Sequence, residues 1–276
     1  MHNEADNVAA IHKSLSHQSC QDFDWVTVDD GSTDGTGQAL RSLTGGSLPT
    51  VLERQNGGGL IGGSAYGAWR FGVQWALDSH PSRYTHVMKL DADVLLRPDY
   101  LRSVLASMTD GIAIAGGVIG SRGMREQVHH VPGPVKLYTL AAYRLLGELP
   151  SAIGFDVMDE VAVQAKGMRV QVLRTASFKL ARAIGASEGG VHGRYRNGRV
   201  CRWTGYDPLY FVLHALRYAG RKPYAVGSVA MCIGYLRAGP GPYPAALKNA
   251  HKAIQRAKLR AAIRSPLRWV RSTYGY

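Results

Sequence analysis

A chain of 276 residues with 45% apolar side chains can bury one large core, which excludes a disordered or low-complexity protein. Cys20, Cys201 and Cys232 have neither disulfide-framework nor metal-ligand spacing, so free thiols in a reducing compartment are expected. The formal net charge of +13 sits at one end: from Pro208 onward stand 12 Lys/Arg and no Asp or Glu, which leaves 21 Lys/Arg against 20 acids in residues 1–207.

Up to about residue 175 short apolar runs alternate with helical patterns, as in an α/β sheet. No signal-peptide pattern is legible at the start. Val8, Ile11 and Leu15 have helical spacing. Trp25 to Val28 reads as a strand stopped by Asp29-Asp30-Gly31-Ser32, and Asp34 is placed to cap a helix holding Ala39, Leu40 and Leu43. Thr50 to Leu52 is a second strand, followed by a glycine cluster from Gly57 to Gly63. A helix over 64–78 carries Tyr66, Trp69, Val73 and Leu77 on one stripe. Thr85 to Leu90 is a third strand running into Asp91-Ala92-Asp93, Pro98 opens a helix, and 111–119 is a buried strand. An open α/β sheet ordinarily begins with a strand. This chain opens Met1-His2-Asn3-Glu4-Ala5-Asp6-Asn7, already at a turn into a helix, so a first strand is expected to be missing.

Two acidic segments carry chemistry. In an open sheet the ligand crevice lies beyond the carboxyl ends of the strands. Asp29 and Asp30 end one strand, where a carboxylate can accept from a base N–H or a ribose hydroxyl, and Gly31 allows close backbone approach. Taken alone, that run is also an ordinary strand–turn–helix junction. Asp91 and Asp93 end another strand and point to the same side. Hard oxygen ligands of that kind suit Mg²⁺ or Mn²⁺ held jointly with substrate phosphates. The two clusters lie about sixty residues apart and each ends a strand, so both can line one crevice. Asp156, Asp159 and Glu160 follow at i, i+3 and i+4, which gathers three carboxylates on one face of a helix. Such crowding favours proton uptake by one of them, although acids also suit a helix N-terminus.

With these segments in place the chain resembles the inverting family 2 glycosyltransferases of GT-A fold. The matching residues are Asn3-Glu4-Ala5-Asp6-Asn7, Val28 to Asp34, Lys89-Leu90-Asp91-Ala92-Asp93 and Gly154 to Glu160, and the likeness covers about residues 3–175. The resemblance implies a Rossmann-like mixed sheet flanked by helices and a nucleotide-diphosphate sugar donor. It implies that Glu4 and Asp30, beside Asp29, meet base and ribose, that Asn56 and Gly57 lie on a donor-side loop, and that Asp91 faces ribose and metal. It makes Asp93 the metal ligand towards the diphosphate and Asp159 or Glu160, with Asp156, the source of the catalytic base. The donor-side loop lacks a lysine often found there, for which Arg54 or Arg70 can substitute. No Gln-x-x-Arg-Trp run is present, which favours single addition over polymerisation. The acceptor implied is a glycan or lipid-linked hydroxyl in cell-surface synthesis. Two other readings share these motifs: a non-catalytic nucleotide-sugar-binding scaffold and a nucleotidyltransferase.

His129, His130 and His192 are weaker candidates for a metal or phosphate contact. Arg194, Arg196 and Arg199 among glycines suggest either a mobile basic loop over a diphosphate or a solvated, unstructured connection. The catalytic domain is expected over 1–205 and a helical, basic extension over 206–276. Within that extension 208–219 and 223–236 are each too short to cross a bilayer, which takes roughly 20 apolar residues. They read as a helical hairpin packed on the domain or lying partly in the membrane interface. Residues 245–271 read as a basic amphipathic helix that either packs its apolar face on the protein or lies on an anionic membrane surface, which would place the chain in the cytoplasm or at the inner face of the cell membrane. Nucleic acid is not expected, since no base-reading motif accompanies the charge.

Overall fold

The computed structural model describes residues 1–46, 48–56, 63–120, 130–181, 190–220 and 222–266. The first half alternates as expected: α1 (Ala5–Ser16), β1 (Val26–Asp30), α2 (Thr36–Arg41), β2 (Thr50–Arg54), α3 (Gly63–Ser79), β3 (His86–Leu90), β4 (Val94–Leu96), α4 (Tyr100–Ser107) and β5 (Ile112–Ile119). Pro98 lies just outside α4 and Asp99 occupies its N-cap position. There follow β6 (Val135–Thr139), α5 (Leu140–Leu145), α6 (Phe155–Ala165), β7 (Arg169–Leu180), α7 (Gly190–Trp203), α8 (Pro208–Ala219), α9 (Tyr224–Arg237) and α10 (Ala245–Arg264).

Among the described residues the strands form two sheets. β1 and β2 pair in parallel, with Val28 opposite Leu52. The other five run in the order β3-β6-β5-β7-β4 and mix parallel with antiparallel pairs. Beside β1, Met1 accepts from the Asp30 N–H at 2.8 Å, and no strand pair links the two sheets among the described residues.

β5 is buried along nearly its whole length, as the centre of a sheet covered on both faces must be. Ile11, Leu15, Tyr100, Leu101 and Val104 cover one face, from α1 and α4. Trp69, Val73, Ala142, Tyr143 and Val163 cover the other, from α3, α5 and α6. Alternation along β6 sends Val135 and Leu137 to the first face. Tyr138 goes to the second, and Lys136, two residues before it, shares that side.

β3 and β4 stand at opposite edges of the five-stranded sheet, yet only Asp91-Ala92-Asp93 joins them. Four residue steps span at most about 14 Å, whereas four strand spacings in a flat sheet take about 19 Å. The sheet therefore folds over. The β5–β7 register breaks between Gly117 and Val118, where residues 174–176 of β7 have no partner in the ladder, and β7 beyond it pairs with β4. The fold thus delivers the Asp91–Asp93 turn to the closed end of a curled sheet.

Candidate active site

The first acidic cluster is tied to the start of the chain. Asn3 Oδ1 accepts from the Thr33 N–H at 2.9 Å, the Glu4 N–H donates to Thr36 Oγ1 at 2.8 Å, and the Ala5 N–H donates to Asp34 Oδ2 at 3.0 Å. These bonds set Glu4 beside the end of β1. The Glu4 carboxylate accepts from Asn7 Nδ2 at 2.6 Å. Asp29 is nearly buried and accepts from the Ser32 N–H at 3.0 Å. Asp30 is buried too: Arg54 Nε donates to its Oδ1 at 2.7 Å and Ser64 Oγ to its Oδ2. Ser64 is also within 3.2 Å of Asn56 Oδ1, so Asn56 belongs to the same corner. Gly57 lies outside the described residues. Arg54 is thus engaged with Asp30, while Arg70 stands over the Tyr66 ring at 5.9 Å.

The second cluster begins where β3 ends. The Asp91 N–H donates to Pro134 O at 2.9 Å, and Lys89 Nζ donates to both Asp91 Oδ1 and, at 2.9 Å, Gly133 O. The Asp91 side chain is still 40% exposed. Asp93 is partly exposed, and its carbonyl accepts from Ala181 N–H at 2.7 Å, which fixes the turn against the end of β7. Among the described residues no three His, Cys, Asp or Glu side chains converge as a complete metal cage. Two carboxylates of this kind fit a hard divalent cation that takes its remaining ligands from phosphate and water.

The third cluster meets the second across the Gly133-Pro134 segment. A Cβ on Gly133 would stand 2.8 Å from Asp156 Oδ2, so glycine is what lets that carboxylate close on the backbone next to Asp91. Lys136 Nζ donates to the Asp156 carbonyl and so ties the first turn of α6 to β6. Lys89 Nζ lies 5.6 Å from the Phe155 ring centroid, a further link between the two segments.

The three carboxylates predicted to share a helix face do so at different depths. Asp156 is partly exposed in the first turn. Asp159 is wholly buried: Lys136 Nζ donates to its two oxygens at 3.0 and 3.1 Å, and Tyr138 OH donates at 2.7 Å. Glu160 Oε1 accepts from Lys136 Nζ at 2.9 Å and from the Val131 N–H at 2.9 Å, and His130 Nδ1 stands at 3.2 Å. Burial pushes the Asp159 carboxyl up to about 6 against the pull of Lys136. Burial would raise Glu160 as well, but the Lys136 ammonium and His130 outweigh it and hold Glu160 low, at about 2. Asp159 and Glu160 thus share the Lys136 ammonium in one buried charge cluster.

Sequence reasoning passed over Lys136, Tyr138 and Tyr243. A lone cation in the apolar run Val135-Lys136-Leu137-Tyr138 was the available signal for the first. Tyr243 OH stands 3.0 Å from both Ala152 O and Ile153 O, its one proton shared between the two carbonyls, and so buttresses the turn that leads into Asp156.

Residues 1–162 match the family model described as Glycosyl transferase family 2. The chain belongs to glycosyltransferase family 2. Of two solved structures similar to this transferase, the first carries the GT-A fold. A mannosyltransferase from Pyrobaculum calidifontis, PcManGT in complex with GDP-Man and Mn2+, is 20% identical with a TM-score of 0.59, over 99% of this chain and 81% of that one. S. aureus TarS 1-349 is 16% identical with a TM-score of 0.49, over 99% of this chain and 76% of that one.

The family match ends inside α6, so the remaining helices of this family 2 glycosyltransferase lie beyond it. Arg194, Arg196 and Arg199, expected in a mobile loop, stand on helix α7 instead. Their setting explains the difference: Arg194 lies 3.9 Å over Tyr218 and Arg199 4.7 Å over Trp203, and α7 packs along α9. The helical layer therefore starts ahead of residue 206. His192 is exposed in the first turn of α7, whereas His129 lies outside the described residues. Helix α10 is present as expected, and Leu247, Ala250 and Ile254 on it pack against Met158, Val161, Trp203 and Tyr243. No helix among the described residues is long and apolar enough to cross a membrane.

Proposed function

We propose that this enzyme transfers a glycosyl group from a nucleotide-diphosphate sugar to an acceptor hydroxyl with inversion, and that Asp156 is the base. The observation that carries this reading is the convergence of Asp91 and Asp156 on the Gly133-Pro134 segment, one through its N–H and the other through its side chain. Donor diphosphate on the Asp91–Asp93 side and acceptor on the Asp156 side then meet over one stretch of backbone.

Glu4, Asp29, Asp30 and Asn56 lie at the end of β1 and are assigned to base and ribose. Asp91 and Asp93 would hold Mg²⁺ or Mn²⁺, which supplies charge neutralisation for the departing nucleoside diphosphate. The Mn2+ and GDP-Man named with the mannosyltransferase support a divalent ion and a nucleotide-sugar donor here. Asp156 takes the proton of the acceptor hydroxyl. The acceptor oxygen bonds to the anomeric carbon on the face opposite the diphosphate, and the bond from that carbon to the diphosphate oxygen breaks. Asp159 and Glu160 hold the helix that carries Asp156. An acceptor in cell-surface glycan or glycolipid synthesis, at the inner face of the membrane, agrees with a C-terminal quarter whose only charged side chains are Lys and Arg.

A thermal-shift screen of nucleotide sugars with Mn²⁺, followed by product analysis, tests this. Stabilisation by a donor and release of a nucleoside diphosphate are expected. Release of pyrophosphate would indicate nucleotidyl transfer, and binding without release a scaffold.

A further inference from the structure

We infer that the exposed face of the α8–α9 hairpin is a docking surface for an anionic lipid bilayer, which deepens the sugar-transfer reading by naming what brings the enzyme to a lipid-borne acceptor. The sequence pattern had offered this task to the hairpin and to α10 alike. For α10 the fold withdraws the N-terminal part of the apolar stripe, while Ile263 stays exposed. Leu247, Ala250 and Ile254 are spent on the core around Met158 and Trp203. Polar bonds lock the helix in place: the Asp207 N–H donates to Gln255 Oε1 at 2.7 Å, and Arg256 Nε donates to Asp207 Oδ2 at 2.7 Å.

The hairpin does the reverse. Phe211 stacks on Tyr235 at 3.9 Å and Ser228 Oγ donates to Ala215 O at 2.8 Å, so α8 and α9 run antiparallel with Phe211 and Ala215 inward. Outward on α8 stand Leu209, Val212 and Leu216, and outward on α9 Val229, Ile233 and Leu236, all 39% to 79% exposed. Spacings of three and four residues put each trio on one helix face. Single exposed leucines need no explanation, whereas two adjacent rows of them mark an interaction site.

Charge decides the occupant. Arg217, Lys222 and Arg237 are exposed on the same hairpin, and no Asp or Glu occurs from Pro208 onward. Two copies meeting by this face would bring cations against cations, whereas anionic headgroups are complementary to them. An apolar row flanked by cations lies in the headgroup–acyl boundary without spanning it, in keeping with helices too short and insufficiently apolar to cross.

The test is co-sedimentation of the full chain with vesicles of phosphatidylcholine alone or of equal parts phosphatidylcholine and phosphatidylglycerol. Binding to the mixed vesicles is expected to exceed binding to phosphatidylcholine by at least about tenfold. Leu216→Glu with Leu236→Glu should lower it by at least about tenfold, since both side chains are solvent-exposed and their loss leaves the core intact. Lys222→Gln with Arg237→Gln should weaken binding chiefly at low salt. The inference is overturned if the wild-type chain stays in the supernatant with both vesicles, or if the Leu216→Glu, Leu236→Glu chain sediments as well as the wild type. It is equally overturned if light scattering shows a dimer that those two substitutions split while vesicle binding is absent. Thermal stabilisation by nucleotide sugar, measured on the same samples, should be unchanged by the substitutions. Loss of that stabilisation in the wild type would count against sugar transfer and leave the vesicle result standing.

Discussion

Lys136 Nζ stands 3.0 Å from Asp159 Oδ1, and neither side chain retains any solvent exposure. The same ammonium reaches Glu160 at 2.9 Å and the carbonyl of Asp156. One buried cation therefore binds the face of α6 to the central sheet and sets the height at which Asp156 emerges. Removing it strands two buried carboxylates, a loss of about 3–5 kcal/mol for a broken buried pair. Lys136→Met should lower unfolding stability in urea by that order, and Lys136→Met combined with Asp159→Asn should recover part of it. A loss below about 1 kcal/mol for Lys136→Met would contradict the cluster's structural role.

His130 makes this cluster pH-sensitive. Burial lowers the affinity of its ring for a proton, but the Glu160 carboxylate at 3.2 Å outweighs burial and raises its pKa. A group whose folded pKa is raised contributes stability that is fully present below its unfolded pKa of about 6.5 and is lost as pH rises through the folded value. His130→Asn should therefore be less stable than the wild type at pH 5.5 and approach it at pH 9, in denaturant melts at constant salt. A gap that widens with rising pH would reverse the assignment.

The α7–α9 contact is a backbone contact. A Cβ on Gly198 would run into Met231 O, and one on Gly234 into Tyr195 O. In an exposed helix, Gly→Ala gains about 1 kcal/mol. Here the clash is with main chain that cannot yield, so Gly234→Ala should destabilise by about 1–3 kcal/mol. A stabilised variant in calorimetry would show that the helices are free to separate.

Asp93 is the proposed metal ligand on the diphosphate side. Asp93→Ala should abolish the extra thermal stabilisation that Mn²⁺ gives to the nucleoside-diphosphate complex, with the melting of the free protein nearly unchanged because Asp93 is partly exposed. An undiminished Mn²⁺ effect would remove Asp93 from the metal site.

How much of this was legible in the sequence depended on whether the cause was local. The turns after β1 and β3 were, because an apolar run stopped by Asp and Gly is a local pattern, and so was the helix carrying Asp156, Asp159 and Glu160. Helical spacing gives the face of a residue but not its depth, so the division between an accessible Asp156 and a buried Asp159 was not. That division is imposed by Lys136, which lies 23 residues before Asp159 on a strand the apolar pattern did not reveal. Glycines in 189–193 read as loop, yet packing against α9 holds α7 from Gly190 onward as a helix. The amphipathic pattern of α10 was real, but the pattern alone could not say whether lipid or Met158 and Trp203 would cover its apolar side.

The central claim, inverting sugar transfer with Asp156 as base, is tested most directly by comparing Asp156→Asn with the wild type in a nucleoside-diphosphate release assay, with the donor identified by thermal shift and Mn²⁺ present. Loss of a general base lowers turnover by about 10²–10⁴-fold. The account predicts a fall in kcat of that order with donor binding and folded-state stability retained. Turnover of Asp156→Asn within a few-fold of the wild type would contradict it.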